Sequence, residues 1–221
     1  MTDMALTLSM TIAMIGFYQC WMGSKTAGLV GFFGLALGLL AKGPLIIVLV
    51  GLSVVPWIII NHGFKKGMSL FFKKVPIIRG LLIIAIIALP WYLMAEHATP
   101  GFLKYFIVGE HYYRFVDSGW KGDLYGTAHK ETKGMIWLFW IYASAPWSIV
   151  LPILVWSARK KTQQETTQNN GLQSYLVLWM LSPMLLFTLA GNILPAYVLP
   201  GVPALGLLIA LLTTTNSIKW L

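Results

Sequence analysis

The segment LPWYLMAEH (residues 89–97) ends a long apolar run, and GEHYYRF (residues 109–115) follows it in a polar loop. This loop, residues 96–134, contains five of the seven acidic residues of the chain and three of its four histidines. Ionisable groups are costly inside a bilayer, so a membrane protein keeps them at water-facing edges where function resides. The segment therefore predicts both a membrane fold and the edge at which the protein works.

The composition excludes a soluble domain. Hydrophobic residues make up 57% of the 221 residues and charged residues 10%, whereas a soluble protein has about 25% charged residues. The net charge of +9 is better explained by the positive-inside rule than by a nucleic-acid-binding face, because little of this chain can be exposed to water. The single Cys20 lies in an apolar run, so it cannot form a disulfide within the chain.

The apolar segments predict an all-α, polytopic transmembrane helix bundle with about seven spans. Two of them, 27–41 and 44–60, are short and fit either two spans or one broken helix; we favour two, since together they are too long for one crossing. Pro146 is predicted inside the fifth segment. The seven segments are 4–22, 27–41, 44–60, 77–95, 135–157, 173–190 and 196–212.

The charges of the loops predict the orientation. Loop 61–76 contains four lysines and no acid, and loop 158–172 has three basic residues against one acid, so both are expected to face the cytoplasm. The loop 96–134 balances acids and bases and is expected on the outer face. Alternation of the spans then brings Asp3, Lys42 and residues 191–195 to that same outer face. An amphipathic helix lying in the interface is predicted from residue 102 to 115.

Two candidate residues lie at predicted helix ends. Asp3 fits a helix cap, because a carboxylate is favourable at the positive end of the helix dipole, and it also fits a general base for an acceptor hydroxyl. Lys42 precedes Gly43-Pro44, and Pro44 suits the first position of a new helix. Lys42 beside that helix N-terminus fits a phosphate site, or a hairpin with a snorkelling lysine.

The remaining candidates belong to the outer loop and to the start of the last span. Glu110, His111 and Arg114 would share one side of a helix, where Arg114 suits a phosphate and His111 suits a metal, a proton or a phosphate; an ordinary charged surface fits equally. Glu96 is a further candidate in the outer loop. Tyr197 fits an interfacial aromatic belt, or a hydroxyl that binds a phosphate oxygen.

Seven motifs, in this order, resemble a known family. They are Thr2-Asp3-Met4, Ala41-Lys42-Gly43-Pro44, Leu89-Pro90-Trp91-Tyr92, Pro100-Gly101-Phe102, Glu110-His111-Tyr112-Tyr113-Arg114-Phe115, Ala145-Pro146-Trp147-Ser148 and Leu194-Pro195-Ala196-Tyr197-Val198-Leu199-Pro200. Together they are similar to the superfamily of bacterial lipid-A aminoarabinose transferases and dolichyl-phosphate-mannose–protein mannosyltransferases, which are membrane glycosyltransferases of the GT-C fold.

The resemblance implies transfer of a sugar from a polyprenyl-phosphate donor to a lipid or protein acceptor, at the outer (periplasmic) face of the bacterial inner membrane. It implies that Asp3 is the family's second essential acid and that Lys42, Arg114 and Tyr197 contact the donor phosphate. It also implies that His111 binds a divalent metal such as zinc, with a glutamate from an earlier loop. That loop and several earlier helices have no counterpart here, so we expect a partial GT-C domain over residues 1–221. Where relatives often have a lysine before the Leu-Pro-x-Tyr run, this chain has Ile193.

Two other functions fit the sequence. One is a catalytically inactive, truncated piece of such an enzyme, since half of the expected carboxylate pair is missing. The other is a secondary transporter, because the broken helices of transporters also bind anions. A transporter would have charged residues in mid-membrane, whereas Lys42 and Arg79 lie near the ends of spans.

Overall fold

The computed structural model describes residues 2–116, 122, 131–161 and 171–215, with the backbone alone at 114, 157–161 and 215. The described residues form helices and the turns between them. The elements are α1 (Thr2–Trp21), α2 (Lys25–Lys42), α3 (Leu45–His62), α4 (Phe64–Lys74), α5 (Ile77–Ala98), a π-helix (Lys104–Tyr113), α6 (Arg114–Val116), α7 (Met135–Ala143), α8 (Trp147–Lys161), α9 (Leu172–Phe187), a 3-10 helix (Pro195–Gly201) and α10 (Val202–Thr215).

Each of the seven predicted segments corresponds to an observed helix or helix pair. Within the described residues, five helices are long and apolar enough to cross a membrane, and α7 with α8 forms a sixth span if the bent pair counts as one. The remaining predicted segment, 173–190, is the shorter helix α9. The prediction that α2 and α3 are separate helices is confirmed.

The fifth segment differs from the prediction of one continuous span. α7 and α8 meet at an angle of 92°, and the break falls at Ser144-Ala145-Pro146. A proline has no backbone N–H and its ring clashes with the preceding turn, so a helix can either kink or end there. Pro56, Pro90, Pro152 and Pro183 lie inside helices, whereas α7 ends before Pro146.

Two regions between the predicted spans contain helices. The lysine-rich segment 61–76 was predicted as a loop but contains α4, so that prediction is wrong. The amphipathic helix predicted from residue 102 to 115 is present, but from Lys104 to Tyr113 it has π-helical hydrogen bonding. A π turn spaces its contacts by five residues, so the three- and four-residue spacing assumed from the sequence does not hold there.

Glycines allow α1 and α2 to pack closely. A Cβ on Gly34 would lie 2.7 Å from the Ala13 nitrogen, and one on Gly16 would lie 2.6 Å from the Ala27 carbonyl oxygen. Small residues at such a crossing let two helix backbones approach, as is common between membrane helices. This close packing fixes the start of α1 beside the end of α2.

The bundle has two chemically different ends. At one, here called the site end, α1 begins, α2 ends beside α5 through the Tyr92 hydroxyl bonded to the Leu39 carbonyl (2.7 Å), and Phe187 of α9 contacts Tyr197 (ring centroids 4.8 Å apart). At the other, here called the lysine end, Lys74 of α4 donates to the Trp21 carbonyl (2.8 Å). The candidate site residues, acidic and basic alike, therefore lie together at the end of the bundle opposite α4.

Candidate active site

A cavity of about 620 Å³ opens at the site end. It brings together five of the seven site residues predicted from the sequence: Asp3, Lys42, Glu110, His111 and Tyr197. The rest of the described lining is largely aromatic and aliphatic. Its members are Thr2, Leu40, Ala41, Leu45, Trp91, Phe102, Tyr105, Phe106, Phe115, Phe187, Asn192 and Leu194.

Lys42 and Asp3 form an ion pair inside this cavity. Their side chains keep 20% and 19% of their exposure, so both are partly withdrawn from water while still reachable from the cavity. The Lys42 ammonium also lies 4.5 Å from the centroid of the Tyr197 ring, a cation–π contact. Three predicted site residues from three different elements therefore form one cluster.

The end of α2 positions Lys42. Lys42 is the last helical residue, and the Gly43 N–H caps the helix by donating to the Leu39 carbonyl (2.8 Å). Gly43 has φ +60°, and a Cβ on it would lie 2.7 Å from Phe106 Cε1 and 2.8 Å from His111 Cε1. Only glycine fits both this backbone conformation and this close approach. Pro44 caps α3 one residue before Leu45, within one residue of its predicted position.

His111 joins the π-helix to this turn. Its Nε2 lies 2.8 Å from the Lys42 carbonyl oxygen, and its Nδ1 lies 2.6 Å from the Phe106 carbonyl oxygen. Which of the two carbonyl oxygens accepts a hydrogen bond from the ring depends on its tautomer. The ring therefore fixes the relative position of the two segments that line the cavity.

Glu110 lines the cavity and accepts a hydrogen bond from the Tyr105 hydroxyl (2.6 Å to Oε1). The two residues are five apart, as are Phe106 and His111, so π-helical spacing brings each pair together. Glu110 is thus a second described carboxylate that lines the cavity.

Glu96 has a different place. Its two carboxylate oxygens accept hydrogen bonds from the backbone N–H groups of Gly101 (2.9 Å) and Leu103 (2.7 Å), and it is not among the cavity-lining residues. These N–H groups lie at the start of the helical segment that follows, where a carboxylate is a favourable cap. The contacts of Glu96 are those of a structural cap.

Arg114, the remaining predicted donor-phosphate ligand, has its backbone in α6 directly after the π-helix. Its side chain lies outside the described residues. Its neighbour Phe115 lines the cavity, so the backbone of Arg114 reaches the border of the site. The phosphate-binding role stays a prediction.

The metal role implied for His111 stays a prediction. Both of its ring nitrogens contact carbonyl oxygens, which leaves no lone pair directed at a cation. Across the part of the chain that the structure describes, no three His, Cys, Asp or Glu side chains cluster closely enough to hold a metal ion.

Sequence reasoning missed several parts of the cavity. Tyr105 was not predicted as a site residue, because its contact with Glu110 depends on the five-residue spacing of a π-helix and not on ordinary helical spacing. Asn192, which is not among the predicted site residues, is 6% exposed and lines the cavity, whereas Ile193 is 1% exposed and belongs to the core. The aromatic side chains of the lining, here called the aromatic wall, include Trp91, Phe102 and Phe106. Aromatic residues are common in any membrane sequence, so the sequence alone does not show that these line a cavity.

Comparison with known proteins finds the same superfamily. The model of the family described as dolichyl-phosphate-mannose-protein mannosyltransferase matches residues 1–106. An undecaprenyl phosphate-alpha-4-amino-4-deoxy-L-arabinose arabinosyl transferase of Enterobacter sp. (strain 638) is 32% identical over 98% of this chain. A protein of the same name from Erwinia tasmaniensis is 30% identical over 94% of it. The resemblance to this superfamily is confirmed.

The superfamily likeness extends to the fold. The crystal structure of ArnT from Cupriavidus metallidurans bound to undecaprenyl phosphate superimposes with a TM-score of 0.78 over 97% of this chain, at 18% sequence identity. Its apo structure gives a TM-score of 0.71. This chain therefore has part of the GT-C transmembrane fold. It spans 38% of the Enterobacter relative and 37% of the ArnT chain.

Proposed function

We propose that this chain belongs to the catalytic part of a membrane glycosyltransferase. It would transfer a sugar from a polyprenyl-phosphate donor to a lipid or protein acceptor, at the periplasmic face of the bacterial inner membrane. The observation that carries the proposal is the Asp3–Lys42 ion pair over the Tyr197 ring, placed in a cavity at one end of a membrane bundle. The relatives support it by name, since they act on or are bound to undecaprenyl phosphate carriers.

In this proposal Asp3 is the general base. An acceptor hydroxyl attacks the anomeric carbon of the donor sugar, the bond from that carbon to the phosphate oxygen breaks, and the hydroxyl proton passes to the Asp3 carboxylate. A positioned base contributes roughly 10²- to 10⁴-fold to such a step. Asp3 is suited to this role because it lines the cavity while its helix and its ion pair with Lys42 hold it in place.

Lys42 stabilises the leaving polyprenyl phosphate. Negative charge grows on the phosphate as the glycosidic bond breaks, and a preorganised cation lowers the energy of that state. Arg114 and the Tyr197 hydroxyl are the further phosphate ligands in the proposal. The aromatic wall, with Trp91 and Phe102, suits the sugar and the first isoprene units of the donor.

The test measures binding and transfer separately. The chain is placed in nanodiscs and titrated with undecaprenyl phosphate, comparing Lys42→Gln with Lys104→Gln, an exposed lysine at the same end that does not line the cavity. We expect Lys42→Gln to weaken binding about tenfold or more, since a hydrogen bond to a charged group is worth roughly 1.5–3 kcal/mol. Lys104→Gln should bind like the unsubstituted chain. Equal affinity of both variants would contradict the role of Lys42.

Asp3→Asn separates the base from the phosphate site. We expect it to bind undecaprenyl phosphate at least as well as the unsubstituted chain, because it removes a negative charge beside Lys42. Sugar transfer, measured in membranes from cells that produce the protein from its native gene, should fall at least about a hundredfold. Phosphate binding without any transfer by the unsubstituted protein would favour the inactive alternative.

A further inference from the structure

The helix α4 at the lysine end of the bundle has no part in the proposed reaction. It joins two membrane-length helices, α3 and α5, and its sequence FKKGMSLFFKK contains four lysines and no acid. The chain has no acidic residue from Met4 to Ala95. α4 therefore lies in the most uniformly positive region of the described structure.

α4 presents three distinct faces. One packs on the bundle through the buried Gly67 and the partly buried Leu70 and Phe71. A second is an apolar stripe at four-residue spacing, in which Phe64 and Phe72 are each 66% exposed and Met68 lies between them. The third is the polar face, with the exposed residues Lys65, Lys66, Ser69 and Lys73.

The fourth lysine of α4 has a structural role. Lys74 donates to the Trp21 carbonyl (2.8 Å) and lies 4.8 Å from the centroid of the Trp21 ring. It therefore fixes α4 to the end of α1, which holds the helix across the end of the bundle. The exposed lysines and Arg79, exposed at the start of α5, are then directed away from the core together.

We propose that α4 binds the anionic headgroups of phospholipids in the leaflet at the lysine end. A helix in the interface buries its apolar side at the acyl boundary and places its lysines among the headgroups. The apolar stripe beside two membrane helices argues for a lipid surface, because a soluble acidic partner would leave Phe64 and Phe72 in water. The preference for anionic lipid follows from the absence of neutralising acids, since each lysine near such a surface contributes about fivefold.

The test reads lipid composition at α4 itself. A fluorophore is attached at Ser69→Cys in the complete chain in nanodiscs of mixed phosphatidylglycerol and phosphatidylcholine; the native Cys20 is buried and serves as the unlabelled background. Quenching by nitroxide-labelled phosphatidylglycerol is divided by quenching by nitroxide-labelled phosphatidylcholine. We expect a ratio of about five or more, falling towards one as salt screens the charges.

Charge variants assign the effect to α4. The ratio should fall close to one in a triple variant with Lys65→Gln, Lys66→Gln and Lys73→Gln. It should stay unchanged in a control variant with Lys104→Gln and Lys133→Gln, because these two exposed lysines lie outside α4. A ratio near one in the otherwise unsubstituted chain would overturn the proposal, as would a ratio that the triple substitution does not lower.

Discussion

Lys42 meets a carboxylate and an aromatic face at once. The ion pair alone would allow the flexible lysine stem several positions, but the Tyr197 ring restricts the ammonium from a second direction. A donor phosphate entering the cavity would thus meet a cation that is already oriented. At the scale of single residues, the candidate site depends on this arrangement and on the glycine that follows Lys42.

Tyr197 provides a test that separates its ring from its hydroxyl. Tyr197→Phe keeps the cation–π contact and removes the hydroxyl, so we expect undecaprenyl phosphate binding to weaken by roughly two- to tenfold if the hydroxyl binds a phosphate oxygen. Tyr197→Leu removes both and should weaken binding further. Titration of the two variants in nanodiscs measures this. Unchanged affinity in Tyr197→Phe would restrict the residue to holding Lys42.

Gly43 is the residue whose substitution should disturb the site most directly. Gly43→Ala places a Cβ against Phe106 and His111 at a backbone conformation with φ +60°, so we expect a loss of stability of about 1–3 kcal/mol and faster modification of His111 by diethylpyrocarbonate. The matched control is Gly206→Ala in α10, where a Cβ meets nothing within 4 Å; alanine is the better helix former there, by up to about 1 kcal/mol. Thermal unfolding in detergent compares the two. Equal unfolding temperatures would contradict the account of the turn.

At the scale of elements, the site depends on the crossing of α1 and α2. Asp3 begins the first helix and Lys42 ends the second, so the ion pair reports how the two helices are aligned. The backbone approaches at Gly16 and Gly34 set the distance between them. A helix pair held apart by larger side chains would separate the two charges.

Gly34→Ala tests this packing. Its Cβ would lie 2.7 Å from the Ala13 nitrogen and 2.8 Å from the Ser9 carbonyl oxygen. Because backbone atoms cannot move aside as a side chain tip does, we expect a loss of stability of about 1–3 kcal/mol. Gly51→Ala in α3, with nothing within 4 Å of its Cβ, is the control and should be neutral or stabilising. If Gly34→Ala unfolds at the temperature of the control, the close crossing is not what holds α1 and α2.

Glu96 tests the start of the helical segment that carries Tyr105 and His111. Glu96→Ala leaves the Gly101 and Leu103 N–H groups without their carboxylate cap, so we expect faster hydrogen exchange at these two amides. His97→Ala, an exposed neighbour, should leave both amides protected. Protection that persists in Glu96→Ala would show that the cap does not hold this segment.

At the scale of the whole molecule, the candidate site lies at one end of the bundle and the exposed lysines of α4 lie at the other, and much of this arrangement could be predicted. The sequence was sufficient for the spans, because runs of apolar residues are long enough to be recognised in isolation, and for the grouping of Asp3, Lys42 and Tyr197, because alternating spans bring them to one side. It was insufficient for the break before Pro146, since a proline inside an apolar run fits a kink as well as a break. It also missed Tyr105 as the partner of Glu110, because π-helical spacing depends on tertiary contacts such as that of His111 with the Lys42 carbonyl.

We expect the cavity to open on the outer side of the membrane and α4 to lie on the cytoplasmic side, and the proposed function depends on this sidedness. It is tested most directly by labelling single cysteines at Lys66→Cys and Tyr112→Cys, both exposed in the structure, with a membrane-impermeant maleimide. We expect intact spheroplasts to label Tyr112→Cys and to leave Lys66→Cys unlabelled until the cells are opened. Labelling of Lys66→Cys in intact spheroplasts, with Tyr112→Cys protected, would contradict the account.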